Sequence, residues 1–209
     1  MKPEEEISPC LKPKKLQRKK RGAFHHGNLK ESILAAAIKH IEMQEDVGFT
    51  LRDIAKDLGV SHVAVFNHFE SKAHLIADIA AQGYGILSSQ LVDVRQKKLG
   101  VSEGMKSYVN FGLTNPGIYR TMFHNSIKPF SDYPHLLESA NKALFELNNL
   151  FDNGMKTDEF NALTLWTSAH GIVSLALDGQ LAGPFGQGWK TDQEVAHDAV
   201  RAIRILMNH

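Results

Sequence analysis

The chain has 209 residues, 43% of them hydrophobic and 22% charged, a balance that supports a packed globular core. No apolar run approaches the roughly 18 residues needed to cross a bilayer, and the charged N-terminus lacks the apolar stretch of a secretory signal. The single cysteine, Cys10, excludes an internal disulfide framework and fits a reducing compartment, so the expectation is a cytoplasmic protein without membrane association.

The net charge of +1 hides an asymmetry. Residues 11–30 hold Lys12, Lys14, Lys15, Arg18, Lys19, Lys20, Arg21 and Lys30 and no acidic residue, so +8 sits in that stretch and −7 in the rest. Residues 1–23 are polar, carry three prolines, and read as a disordered basic arm. Such an arm suits a polyanion, because each cation near a phosphate releases condensed counterions; a merely solubilising tail is the bland alternative.

Beyond Gly27 the pattern is helical nearly everywhere. Ile33, Leu34, Ala37, Ile38 and Ile41 predict a first helix over about 28–44. Thr50, with Asp53 three residues on, caps a short second helix whose bracing face is Leu51, Ile54, Ala55 and Leu58. Gly59 supplies the left-handed turn that ends it. Ser61 caps a third short helix reaching about His68, and a fourth runs from after Ser71 to about Lys98 on a buried side of Leu75, Ile76, Ile79, Ile86, Leu87 and Leu91. Further helices are expected over about 102–113, 117–125, 133–153, 158–180 and 192–207, the last opened by a Thr191–Glu194 capping box. Pro116, Pro129, Pro134 and Pro184 fall between them. No segment alternates as a strand would, so the fold is all-α.

Two short helices joined by a glycine turn form a helix-turn-helix, in which the first braces the second for the major groove. Val63, Phe66 and Phe69 are expected at its inner or groove-edge positions, with Ser61, His62, Ala64, Val65, Asn67 and His68 facing out. A hydroxyl, two imidazoles and a carboxamide on one short helix are poor choices for a stabilising surface and good ones for phosphates and base edges. Phe66 reads equally as core or as contact. His25 and His26 have no cysteine nearby and no third ligand at metal spacing. An enzyme reading finds Cys10 in the arm, scattered histidines, and a "GPFGQGWK" stretch that follows no strand; no cofactor is expected.

The residues from 25 to 84, with "TLRDIAKDLGVS", "NHF" and the lysine of "ESKAHL", closely resemble the DNA-binding domain of TetR-family regulators. "HHGNL", "YVNFGLTNPGIYRTMF" (108–123) and "LWTSAHGIVSLALDG" (165–179) resemble the branch named for a Trp…His-Gly motif. The resemblance implies an N-terminal three-helix domain (24–72) followed by a helical ligand-binding and dimerisation domain (73–209). It implies a regulator, most commonly a repressor, that binds a palindromic operator in double-stranded DNA as a homodimer and answers to a hydrophobic small-molecule effector. The DNA-contacting set it implies is Arg21, Thr50, Ser61, His62, Val63, Phe66, Asn67, His68 and Lys72, with Thr50 and Lys72 on phosphates. Phe66 departs from the family's usual tyrosine and loses its hydroxyl; Ala73 replaces a usual acidic residue. The implied pocket is lined by Phe111, Tyr119, Met122, Phe123, Trp166 and His170, and His170 is either a ligand anchor or a core histidine bonded to a neighbouring helix.

The helix over 158–180 carries two apolar stripes, Leu163/Trp166/His170/Val173/Leu177 and Ala162/Leu165/Ala169/Ile172/Ala176. One is expected to face its own domain and the other a second subunit, joined by Val195, Ala199, Ile203 and Leu206 of the last helix. The competing reading is a nucleoid or division-associated DNA-binding protein without small-molecule control.

Overall fold

The computed structural model describes residues 29–44, 47–151, 159–181 and 191–207, and among these the chain is all-helical with no strand. The arm, Arg21 and the His25–His26 pair lie outside the described residues. Helix α1 (Leu29–Gln44) buries Ile33, Leu34, Ala37 and Ile41, one face at three- and four-residue spacing. Lys30, the last cation of the basic stretch, is tied into the fold. Its Nζ lies 2.6 Å from Asp78 of the fourth helix and 5.5 Å from the centre of the Phe69 ring.

Helix α2 (Leu51–Leu58) begins with the expected capping box. The Asp53 N–H donates to Thr50 Oγ1 at 3.2 Å, and the Thr50 N–H donates to Asp53 Oδ2 at 2.8 Å. It ends at Gly59, which sits at φ +65° while the N–H of Val60 closes back on the Ala55 carbonyl at 3.0 Å. Helix α3 (His62–Phe66) follows within three residues, its first turn capped by Ser61 Oγ accepting from the Ala64 N–H at 3.2 Å. His40 of α1 reaches Asp57 of α2 at 2.6 Å and helps fix the angle of the pair.

Helix α4 (Lys72–Gln96) is the spine of the molecule, crossing from α1 to pack along α5 (Val101–Thr114), α6 (Pro116–Met122) and α7 (Pro134–Asn148). Its buried stripe is Leu75, Ile76, Ile79, Leu87, Leu91 and Val94. Ile86, expected on that side, is exposed, because it lies about 100° round the helix from Leu87. Arg95 of α4 binds Glu146 of α7 at 2.9 Å, which satisfies a carboxylate buried between the two helices.

Helices α6 and α7 are shorter than predicted. Helix α6 stops at Met122 and α7 at Asn148; each passes into 3₁₀ turns (Asn125–Ile127 and Phe130–Asp132, then Asn149–Phe151). Pro116 and Pro134 occupy first-turn positions, where their missing N–H costs no hydrogen bond. Helix α8 (Glu159–Leu177) packs on α5, and α9 (Asp192–Met207) lies across both.

The packing of α8 corrects the two-stripe expectation. Leu165, Ala169, Ile172, Val173 and Ala176 are buried within the same chain, and Trp166, His170 and Leu177 are half-buried at cavity walls. Most of both apolar stripes is therefore used inside one subunit. Leu163 of the first stripe is exposed, together with Thr164, Thr167 and Leu175. Val195 of α9 is likewise buried in its own chain, Ala199 is half-buried, and the side chains of Ile203 and Leu206 lie outside the described set.

Candidate nucleic-acid interface and ligand cavities

Helix α3 presents a compact exposed surface. Val65 (0% exposed) and Phe69 (2%) form the anchored side, four residues apart and over the α1–α2 core. Ser61, His62, Val63 (66% exposed), Phe66 (40%), Asn67 and His68 all face solvent. This corrects the sequence register at Val65, expected outward, which is the helix's main anchor; Val63, expected inward or at the groove edge, is exposed as an edge position would be. The His62 and Phe66 rings pack together with centroids 4.3 Å apart, so the imidazole stiffens the exposed phenylalanine. Asn67 is the C-cap residue, and its side chain is exposed. The result is an outward face of hydrogen-bonding groups around a small apolar ridge, held by a helix of only five residues.

Thr50 and Lys72 flank that face but are engaged. The Thr50 hydroxyl donates to Asp53 Oδ2 at 2.7 Å, so both of its donors point at one carboxylate. Those hydrogen bonds, first from the hydroxyl and then from the backbone N–H, hold the Asp53 carboxyl below its ordinary pKa. The Lys72 ammonium donates to the Val47 carbonyl and stands 5.0 Å from the centre of the Phe49 ring. Lys72 therefore ties the start of α4 to the segment before α2, and a phosphate there would meet a cation that is already oriented.

Two cavities of the body have tyrosines in their walls. The larger, of about 520 Å³, opens between α4, α5, α7 and α8 and is mainly apolar: Leu87, Leu91, Leu137, Leu144 and Leu147 line it, with Tyr84, Tyr108 and Trp166 as the polar-tipped aromatics. The smaller, of about 390 Å³, lies where α1 meets α6 and the C-terminal end of α8, and its walls include Ile41, Tyr119, Phe123 and His170. Of the six residues expected in one pocket, Trp166 lines the larger cavity and Tyr119, Phe123 and His170 the smaller. Phe111 and Met122 line neither and are fully buried core residues. Tyr84, Tyr108 and the leucines of α4 and α7 that line the larger cavity are absent from the sequence-based set. Their stripes read as ordinary core until the α4–α7 crossing shows a gap between them.

A chain of polar groups runs through the wall between the cavities. The Tyr108 and Tyr119 hydroxyls are 3.3 Å apart, Tyr119 Oη lies 2.6 Å from His170 Nδ1, and His170 Nε2 lies 3.5 Å from Ser174 Oγ. Burial raises the pKa of the Tyr84, Tyr108 and Tyr119 phenols, that of Tyr108 to about 12. They stay protonated donors at physiological pH. Burial also lowers the pKa of His170, which keeps its imidazole neutral. A 2.6 Å contact suits O–H···N, since O–H donors approach more closely than N–H donors, so Tyr119 donates to Nδ1 and the imidazole proton sits on Nε2. His170 is thus bonded to a neighbouring helix and also faces a cavity.

The His170 arrangement sets a pH dependence. The unfolded imidazole takes a proton at its ordinary 6.5 and the folded one only at lower pH, so the stability it contributes is complete above 6.5 and falls as pH drops below it. Thermal unfolding across that range should show the loss in the wild type and a flatter profile in His170→Asn. Parallel profiles would remove His170 as the cause.

A braced, capped helix-turn-helix joined to an all-helical body with internal cavities defines a DNA-binding transcriptional regulator. Comparison with known families agrees: residues 33–79 match the profile described as "Bacterial regulatory proteins, tetR family", and residues 101–203 match "Tetracyclin repressor-like, C-terminal domain". The chain belongs to the tetR family of bacterial regulatory proteins.

Solved structures share the fold. A protein of unknown function from Rhodococcus sp. RHA1 superposes with a TM-score of 0.70 at 24% identity, over 87% of this chain and 96% of that one. The TetR family transcriptional regulator PfmR from Thermus thermophilus gives 0.55 at 18% identity, over 82% and 96%. A bacterial regulatory protein in the tetR family from Rhodococcus RHA1 gives 0.56 at 19%, over 83% and 93%. No curated protein matches the chain. Among the described residues, no helix is long and apolar enough to cross a membrane.

Proposed function

We propose that this regulator is a cytoplasmic repressor of the Trp…His-Gly branch that binds a palindromic operator as a homodimer and is released by an apolar small molecule. The observation that carries the reading is the outward face of α3, where Ser61, His62, Val63, Phe66, Asn67 and His68 are exposed together on a helix fixed by Val65 and Phe69. Val63 and Phe66 would meet thymine methyls or sugar edges, and the polar groups would meet base edges and phosphates. The division is an arm (1–23) with Arg21 near its end, a DNA-binding domain (24–72) and an effector and dimerisation domain (73–209).

The larger cavity is the effector site that best fits the reading. A volume of about 520 Å³ suits a small organic ligand, and its apolar walls carry a few polar tips in Tyr84, Tyr108 and Trp166. That cavity also favours effector control over a nucleoid-associated role, which would need no such space. The exposed side of α8, with Leu163 and Leu175, is where a second subunit would pack and set the spacing of the two α3 helices. Release follows if the effector binds a differently angled α4 more tightly than the DNA-bound one.

The test is a genome-wide footprint followed by titration of the site it yields. A few palindromic promoter sites are expected, whereas many dispersed sites outside promoters would favour the nucleoid role. On the recovered operator, Asn67→Ala should weaken binding by roughly tenfold, the loss of one base or phosphate contact, with dimerisation unchanged. Unchanged affinity would remove Asn67 from the contact set.

A further inference from the structure

The smaller cavity joins the two halves of the molecule. Ile41 and Val47 come from the DNA-binding side, and the remaining wall comes from α6, the turn after it, and the end of α8. Its polar groups are unbalanced in a way the larger cavity is not. Arg120 spends its two terminal nitrogens on the end of α8 and the residue after it: Nη1 reaches Asp178 at 3.1 Å and Nη2 donates to the Leu177 carbonyl at 2.8 Å. Its Nε is buried and has no partner among the described residues. A charged donor left without an acceptor is costly, and a ligand acceptor would relieve it.

Three more donors share the same walls. His124 Nδ1 accepts the Ser126 backbone N–H at 3.1 Å, and since a backbone N–H only donates, the imidazole proton must be on Nε2. His170 carries its own proton on Nε2 by virtue of its bond from Tyr119. Asn125 accepts from Lys128 through Oδ1 at 3.3 Å, leaving its NH₂ to donate. Asp178, the carboxylate in the cavity wall, is already answered by Arg120. Several donors therefore gather along these walls, and Ile41, Val47 and Phe123 supply an apolar surface.

We infer that this junction is a second ligand site, distinct from the larger cavity, and that it takes a small amphipathic carboxylate. The carboxylate accepts from Arg120 Nε and the two imidazole Nε2 groups in charge-assisted bonds, while the hydrocarbon part lies against Ile41 and Phe123. A molecule so placed touches α1 and α6 at once and biases the angle between the DNA-binding side and the body.

The experiment titrates the full-length protein with hexanoate, and with hexylamine as the donor-only counterpart, reading histidine ring resonances by NMR. Expected is saturable hexanoate binding that moves the His124 and His170 signals, no such response to hexylamine, and about tenfold weaker binding in Arg120→Gln. Because Arg120 also ties α6 to α8, Asn125→Leu on the exposed rim is the second variant, expected to weaken binding with the fold intact. Ala143→Trp, which fills the larger cavity, should leave hexanoate affinity unchanged. The inference is overturned by absence of saturable binding, by equal response to hexylamine, by full affinity in both rim variants, or by loss of binding in Ala143→Trp. The effector reading of the larger cavity is untouched by the first three of these results.

Discussion

Val65→Asp is expected to abolish operator binding by dismantling α3 while leaving the rest of the body folded. Val65 is completely buried, and it and Phe69 are the deeply buried anchors through which the exposed face is held. A carboxylate in that buried position must either desolvate or pull the helix out. The cost is about 3–5 kcal/mol, the range for an uncompensated buried charge. A five-residue helix has almost no stability of its own, so that cost falls on its docking. Circular dichroism should show only a small loss of helix, because α4 to α9 carry most of it. Val63→Asp, two residues away and 66% exposed, is the control: it should keep the fold and alter only DNA affinity. If Val65→Asp binds the operator as the wild type does, the assignment of inner and outer sides to α3 is wrong.

That control bears on what could be read from the sequence. The helix-turn-helix was legible because its punctuation is local: Thr50 with Asp53, Gly59 and Ser61 each act within a few residues, and each was found in its expected role. The rotation of α3 was not legible. Val63, Val65 and Phe66 are all apolar, and in five residues no period separates the buried from the free; only contact with α1 and α2 decides.

The same limit explains α8. Its composition is apolar on two sides, which a single-chain reading assigns to a core and a partner. The fold sets Leu165, Ala169, Ile172 and Ala176 in the core and splits the other stripe: Val173 packs on α5, Trp166, His170 and Leu177 reach cavity walls, and Leu163 is exposed. Gaps are differences between neighbouring helix positions far apart in sequence, so neither cavity has a local signature. Tyr119 and His170 were recognisable as functional candidates, yet their bond to each other spans 51 residues and shows only in three dimensions.

The close approach that makes this arrangement possible gives the second large effect. At Gly112 of α5, a Cβ would lie 2.4 Å from Val173 Cγ1 and 3.1 Å from Tyr119 Cδ2. Gly112→Ala would ordinarily strengthen a helix by up to about 1 kcal/mol. Here Val173 is fully buried and its branched side chain has one strongly preferred rotamer, so it cannot swing aside, and α5 and α8 must separate instead. The expected outcome is a net destabilisation of about 2 kcal/mol, within the usual cost of overpacking. The separation would also stretch the Tyr119–His170 bond, so the His170 ring resonances should shift even where the protein remains folded. In a Val173→Ala background the obstruction is gone, and the same Gly112→Ala change should become neutral or stabilising. Denaturant unfolding of the four proteins reads this reversal directly. If Gly112→Ala is equally destabilising in both backgrounds, contact with Val173 is not what requires glycine at the α5–α8 crossing.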